Sequence, residues 1–318
     1  MDFVLLTGSL QAVSIVTNCW HQSLRFYVQG LGYKILRQGV LSPQQREIFG
    51  KHLLRYALLG YEQGSVVRLL ENCLVDALPN RLDANPWDLG MAVIEVGTTD
   101  VEAVYYRLLR NRFGAISEPT VFEAKGDEPL GWVVMKSVAF FGPAGEQIFI
   151  TQIIRRKGGV SLLRDSAVKG VNTPANVVIS TKDRSPIETF WQPVLGITPV
   201  NDLHMSQPLA AKIMGGPLEM SFDMLLMGHD LHRIGMEQHV YGPYNPTYEF
   251  KTYPCSFEKT GLASACWQSP HLDLAASQIA NSGFKIISRI GLPLLHEEEP
   301  NAVVFQGPVG EIIELVSP

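Results

Sequence analysis

Charge is scarce in this sequence: 18% of the 318 residues are Asp, Glu, Lys or Arg. Neither sign dominates, with 26 Lys and Arg against 31 Asp and Glu. No basic stripe is visible, which argues against nucleic acid as a partner. Long hydrophobic runs are also missing. The apolar stretches are strand-length, far below the roughly 20 residues that a membrane span needs. The apolar opening segment, Met1 to Trp20, has no Lys or Arg ahead of its apolar run and so does not read as a secretory leader. Cysteine is rare: Cys19, Cys73, Cys255 and Cys266 lie far apart, with no CxxC spacing. Reduced, mostly buried thiols in a cytoplasmic protein are the expected reading. What the chain does have is apolar material, 46% of its residues, enough for one large core or two medium ones.

It also repeats itself. A shift of 164 places Val13, Ile15 and Thr17 on Val177, Ile179 and Thr181, and Leu31-Gly32 on Leu195-Gly196. A shift of 165 places Phe140-x-Gly142-Pro143-x-Gly145-Glu146-x-Ile148 on Phe305-x-Gly307-Pro308-x-Gly310-Glu311-x-Ile313. Matches at both ends with nearly one offset indicate a tandem duplication.

Each half divides again. Val13 to Val16 is β-branched and strand-like. Leu24, Tyr27, Val28 and Leu31 recur at helical spacing, and Gly32 suits the left-handed turn that ends a helix. Tyr33–Leu36, Arg55–Leu59 and Val66–Leu70 read as three further strands. The order of one strand, one helix and three strands begins again at Met91, with Asp100 as the N-cap of a helix to about Arg112. The second half follows the same plan from Asn176 and again from Ala263. The segment 241–261, with three prolines and four tyrosines, reads either as a lid or as a connector between the last two modules.

Phe26-Tyr27-x-x-x-Leu31-Gly32-Tyr33, its partner Phe190 to Ile197, and the closing Gly307-Pro-x-Gly-Glu-x-Ile-Glu-Leu315 resemble vicinal oxygen chelate proteins. That superfamily includes glyoxalase I, extradiol ring-cleaving dioxygenases, epimerases and bleomycin-resistance proteins. The resemblance implies an α+β fold of four βαβββ modules forming two tandem glyoxalase-like domains with cupped mixed sheets. The domains would be 1–154 and 174–318, joined by a linker over 155–173. It also implies a small-molecule substrate, sheet-edge homodimers, and ligand positions on the first and last strands of each module. In the first half those positions fall near Ala12, Arg68, Met91 and Phe149, which suit no cation. In the second half they fall at Asn176, Glu237, Ala263 or Ser264, and Glu314. The expected site is therefore a C-terminal cup, with Glu314, Glu237 and Asn176 as candidate ligands of one divalent ion (Fe, Mn, Zn or Mg), or with no metal at all. An extradiol dioxygenase would use two His and one Glu, and those His positions hold Asn176 and Ala263 or Ser264.

Glu314 sits in Ile-Ile-Glu-Leu-Val, so it faces the layer opposite its apolar neighbours, inward or out to water. Glu237 and His239 share one strand face, either in the cup or at a surface strand end. Glu314, Glu237 and His239 are the candidate catalytic residues; Trp267, Phe305 and His204 are candidate pocket walls. His229, His232 and His239 cluster in sequence, but their spacing does not put all three on one side of a strand; His229 and His232, in a turn after Met227, form a second candidate metal pair. Six methionines from Met205 to Met236 line a pocket for a bulky apolar ligand or simply fill the core. The expected function is isomerase, epimerase or lyase chemistry on a small carbonyl-containing or aromatic molecule. The alternatives are metal-free sequestration of a small molecule and ring cleavage with altered ligands.

Overall fold

The computed structural model describes residues 10–126, 131–156, 171–206, 208–228 and 235–318. Four βαβββ modules are present. The first holds β1 (Leu10–Thr17), α1 (Trp20–Leu24, running on as a π-turn over Arg25–Leu31), β2 (Lys34–Val40), α2 (Pro43–Phe49), β3 (Leu53–Gly60) and β4 (Val66–Asn72). The second holds β5 (Gly90–Thr98), α3 (Val101–Arg110), β6 (Thr120–Lys125), β7 (Trp132–Phe141) and β8 (Gln147–Arg156). The third holds β9 (Val171–Thr181), a π-turn (Ile187–Trp191) leading into α4 (Gln192–Leu195), β10 (Thr198–Met205), α5 (Pro208–Ile213), β11 (Phe222–Gly228) and β12 (Met236–Val240). The fourth holds β13 (Gly261–Gln268), α6 (Leu272–Asn281), β14 (Ile286–Ile290), β15 (Asn301–Gln306) and β16 (Ile312–Val316).

Local chemistry accounts for the helix ends. The Asp100 carboxylate accepts from Ala103 N at 2.9 Å, capping α3. Ser42 and Gln45 form a reciprocal capping box on α2. Gly32 and Gly196 end the first helices of modules one and three with φ of 85° and 71°, a left-handed conformation that glycine reaches without strain. Of the expected linker 155–173, residues 157–170 lie outside the described residues; the flanking residues belong to β8 and β9.

Two eight-stranded mixed sheets result, and each draws a module from each half. One runs β14-β15-β16-β13-β1-β4-β3-β2, the other β10-β11-β12-β9-β5-β8-β7-β6. The seams are antiparallel: β1 on β13, with Ser14 opposite Ser264, and β5 on β9, with Glu95 opposite Asn176. Module one therefore shares a cup with module four, and module two with module three. This corrects the expectation of one C-terminal cup holding Glu237 and Glu314 together: the two carboxylates lie in different sheets. Each sheet pairs a first strand of one half with a first strand of the other, so the sites straddle the halves. The second cup is nearly closed, because an isolated bridge joins Gly126 to Leu203 between β6 and β10, and α5 packs over β6 and β7.

Segment 241–261 is strapped along loop 78–89. Trp87 stacks on Tyr248 with ring centroids 4.2 Å apart. Lys251 N donates to Asp88 Oδ1 at 3.0 Å, Tyr253 N to Leu89 O at 2.9 Å and Thr260 N to Leu78 O at 3.1 Å. Those bonds fit a connector between modules three and four.

Candidate functional site

The cup of β1, β4, β13 and β16 is filled. Glu314 points inward, as strand alternation allows, but it meets Arg68 in an ion pair with both side chains fully buried. Arg68 Nε and Nη2 also donate to Ser14 Oγ at 2.9 and 2.7 Å, and Nη1 donates to Leu292 O at 3.0 Å. Ser264 Oγ donates to Glu314 Oε1 at 2.6 Å, and Leu292 N donates to Oε2 at 3.3 Å. The guanidinium stands in the space that a cation or substrate would need. Trp267 and Phe305, expected as pocket walls, are core residues here: Trp267 is buried and Phe305 packs on Phe190.

The cup of β5, β8, β9 and β12 is different. Glu95 on β5 and Glu237 on β12 converge on a cavity of about 50 Å³. Their carboxyls hydrogen-bond each other. Asn176 Nδ2 bridges them, donating to Glu237 Oε1 at 2.9 Å and Glu95 Oε2 at 3.2 Å. Thr151 Oγ1 donates to Glu95 Oε1 at 3.1 Å, with Ser137 Oγ 2.8 Å behind it. His239 Nε2 lies 3.4 Å from Glu237 Oε2, and Tyr241 OH lies 3.5 Å from His239 Nδ1. With Tyr241 donating to Nδ1, the imidazole donates from Nε2 to Glu237. The remaining wall is apolar: Met135, Phe149, Met205, Met214, Phe222 and Met224. Thioethers can repack around ligands of varied shape, so a cavity small at rest can widen.

Electrostatics follow from burial. Burial raises the Glu95 carboxyl well above the usual carboxylate range, and the Glu237 charge beside it raises it further. Glu237 is raised as well, again by burial first, with the bonds from Glu95 and Asn176 acting against the shift. Glu95 keeps some accessible surface, and it lines the cavity. Two carboxyls this close cannot both ionise cheaply, so the pair holds one proton between them. His239 is lowered to about 3 by burial and is neutral at physiological pH. Burial raises Tyr241, which stays protonated and can donate.

Of the expected site residues, Asn176, Glu237 and His239 meet in this cup. Glu314, Trp267 and Phe305 lie in the other sheet. His204 lies on the outer face of β10, exposed, 3.1 Å from Asp223 Oδ1 and with its ring 4.4 Å from that of Tyr244, tilted by 49°. His229 and His232 fall outside the described residues. The methionines divide: Met205, Met214 and Met224 line the cavity, while Met227 and Met236 fill the larger core. Glu95 was the residue the sequence reading missed. Val93-Ile94-Glu95-Val96 carries the same lone carboxylate in an apolar strand as Ile312-Ile313-Glu314-Leu315, and alternation aims it inward for the same reason.

Two carboxylates and Asn176 Oδ1, which is buried without a hydrogen-bond partner among the described residues, are donor types that a divalent cation takes. Among the described residues no group of three His, Cys, Asp or Glu stands at metal-binding spacing. The carboxyl pair would have to give up its shared proton to take an ion.

No family model matches the chain, and no curated protein matches it by sequence. Solved structures do. Glyoxalase I from Zea mays superposes with a TM-score of 0.64 over 97% of this chain and 92% of its own, at 14% identity. A single-substitution variant of that protein gives 0.65 over the same shares at 16% identity. A dioxygenase-like protein from Bacillus subtilis gives 0.59 over 98% of this chain and 86% of its own, at 11% identity. Together with the module order and the two seams, these likenesses show that the chain has the fold of the vicinal oxygen chelate proteins, as four βαβββ modules in two glyoxalase-like domains.

Proposed function

We propose that the chain is an enzyme that moves a proton on a small, largely apolar organic molecule in the β5–β12 cup. Isomerase, epimerase or lyase chemistry next to a carbonyl is the reaction class. The observation that carries this reading is a pair of buried carboxyls, Glu95 and Glu237, bridged by Asn176 Nδ2 at a largely apolar cavity. Such a pair places an acid and a base side by side with their ionisation tuned apart. Glu237 is the base, steadied by Asn176 Nδ2 and the His239 imidazole. Glu95, held by Thr151, carries the proton to be delivered. Tyr241 and Phe222 fix the His239 ring, with the Phe222 ring centroid 4.6 Å away. The Met and Phe walls exclude water, which strengthens each of these interactions.

Were a divalent cation bound, Glu95, Glu237 and Asn176 Oδ1 would hold it, with His239 steadying Glu237, and it would polarise the carbonyl of the substrate. Four free thiols favour a reducing, cytoplasmic setting. The mostly apolar wall favours a second reading, sequestration of an apolar molecule without chemistry.

The test incubates the purified chain in deuterium oxide with ketones, 2-oxo acids and 2-hydroxy carbonyl compounds, and reads deuterium uptake by mass spectrometry. Uptake is expected for at least one compound. Glu237→Gln should lower it by about 10²–10⁴-fold, the usual worth of a general base. Elemental analysis of the wild type and of Glu237→Gln decides the cation. Binding without exchange, unaltered in Glu95→Gln and Glu237→Gln, would move the assignment to sequestration.

A further inference from the structure

A second cavity, of about 190 Å³, lies outside the cup, between loop 80–86, the β7–β8 turn and the start of β13. One water needs roughly 10–15 Å³ by the same measure, so this space takes a molecule of several heavy atoms. It reaches the surface at Asn85 and Phe141.

Three polar groups border it, and each is held in place. Asn80 is 5% exposed. Its N donates to Thr260 O at 2.8 Å and its Nδ2 to Pro254 O at 3.0 Å. These bonds fix the amide and leave Oδ1 buried without a hydrogen-bond partner among the described residues. Arg81 is braced by main-chain carbonyls: Nη1 donates to Leu89 O at 3.3 Å, Nη2 to Asp88 O at 2.9 Å and Asn85 O at 3.4 Å. The nearby Asp88 carboxylate is engaged by Asn85 N at 2.7 Å and Lys251 N at 3.0 Å. Among the described residues, then, no carboxylate is hydrogen-bonded to the guanidinium, which brings a positive charge to the wall. Glu146, 2% exposed, accepts from Tyr27 OH at 2.7 Å and Ala144 N at 3.0 Å.

We infer that this cavity is a binding site for a free α-amino acid with a short apolar side chain, with Arg81 taking the carboxylate and Asn80 Oδ1 and Glu146 taking the ammonium. The side chain lies toward Ile116, Leu262 and Met214. Arg81, Asn80 and Glu146 all line the one cavity and bring it a cation, an acceptor without a hydrogen-bond partner among the described residues, and a carboxyl, a set that a zwitterion answers. Burial raises Glu146 to about 7, so a neighbouring ammonium would favour its ionised form. Met214 lines both this cavity and the cup, so an occupant here bears on the wall of the cup. The inference stands apart from the reaction proposed above, because none of the three polar groups belongs to the cup.

The test is calorimetric titration of the full chain with glycine, alanine, valine, leucine and serine, with acetate, methylammonium and lactate as controls. At least one apolar amino acid should bind with a dissociation constant below about 10 mM, and each control should bind about tenfold more weakly or not at all. Ala84→Phe fills the cavity without removing a side-chain hydrogen bond and should abolish binding while leaving the circular dichroism spectrum unchanged. Arg81→Met should do the same if its loop holds; if it unfolds, Ala84→Phe decides. No binding by any amino acid, equal binding of lactate, or binding that survives Ala84→Phe would each overturn the inference.

Discussion

Truncating Glu314 to alanine would leave the Arg68 guanidinium fully buried with no counter-charge. It would keep Ser14 Oγ and the carbonyl of Leu292 as acceptors, but no carboxylate. Removing one partner of a buried pair costs about 3–5 kcal/mol, a large part of the 5–15 kcal/mol that holds a typical domain together. Arg68→Met should cost a similar amount, because it strands the carboxylate with Ser264 and Leu292 N alone. Replacing both, as Arg68→Met with Glu314→Leu, removes two desolvated charges at once and fills their volume with apolar groups. That double variant should unfold within about 1 kcal/mol of the wild type or be more stable by up to roughly 4 kcal/mol. The cycle then shows a coupling of several kcal/mol, well beyond the few tenths expected of independent sites. Urea unfolding followed by tryptophan fluorescence and circular dichroism measures it, with equal m-values as the check that one transition is compared. Single variants that each cost under about 1 kcal/mol, or costs that simply add, would refute the view of this cup as a charge-neutralised plug. Loss of enzymatic activity in a stable double variant would return Glu314 to the catalytic list.

The two Gly-Pro-x-Gly-Glu turns bury carboxyls whose ionisation opposes folding. Burial raises Glu311 to about 8 and Glu146 to about 7, so both bind protons more tightly folded than unfolded, and stability falls as pH rises from about 4.5 to about 8. Glu311→Gln should flatten that fall by on the order of 3–5 kcal/mol across the window, read from urea midpoints at pH 5 and pH 9; an unchanged slope would refute it. Tyr241→Phe removes the hydroxyl that lies 3.5 Å from His239 Nδ1 and should lower the deuterium exchange rate with little loss of substrate binding; equal losses in both would make Tyr241 a packing residue. Gly310→Ala should destabilise by at least about 1–2 kcal/mol, because its φ is +87° and a Cβ would sit 2.7 Å from Pro254 Cα; a melting temperature equal to wild type would show that the strap yields freely.

Much of the architecture was legible because it is written locally. Alternation in Val13 to Val16, the helical stripe of Leu24, Tyr27 and Leu31, and Gly32 at the helix end each define an element without reference to any other. The repeat then multiplies one module into four. Which modules share a sheet is another matter. It rests on Ser14 lying opposite Ser264 and Glu95 opposite Asn176, contacts that join residues far apart in sequence and leave no periodic trace. The expectation that Glu237 and Glu314 would meet failed there. Strand alternation puts Glu237 and His239 on one face of β12, while Asn176 on β9 is expected only as a ligand position that the resemblance implies. Glu95 obeys the same rule. The ligand position that the resemblance implies on that strand is Met91, four residues earlier, and bulges shift the β5–β9 register between Met91 and Val93 and again after Glu95.

The crossed seams have a consequence for how the molecule can be taken apart. Residues 10–156 made alone would expose the seam edges of β1 and β5, and residues 171–318 would expose those of β9 and β13. Neither fragment contains a finished cup, so each should be an aggregation-prone partner awaiting the other. Mixed together, they should reassemble by mutual templating. The β1–β13 seam joins the first module to the fourth, so a chain reopened between two other modules should keep both sheets.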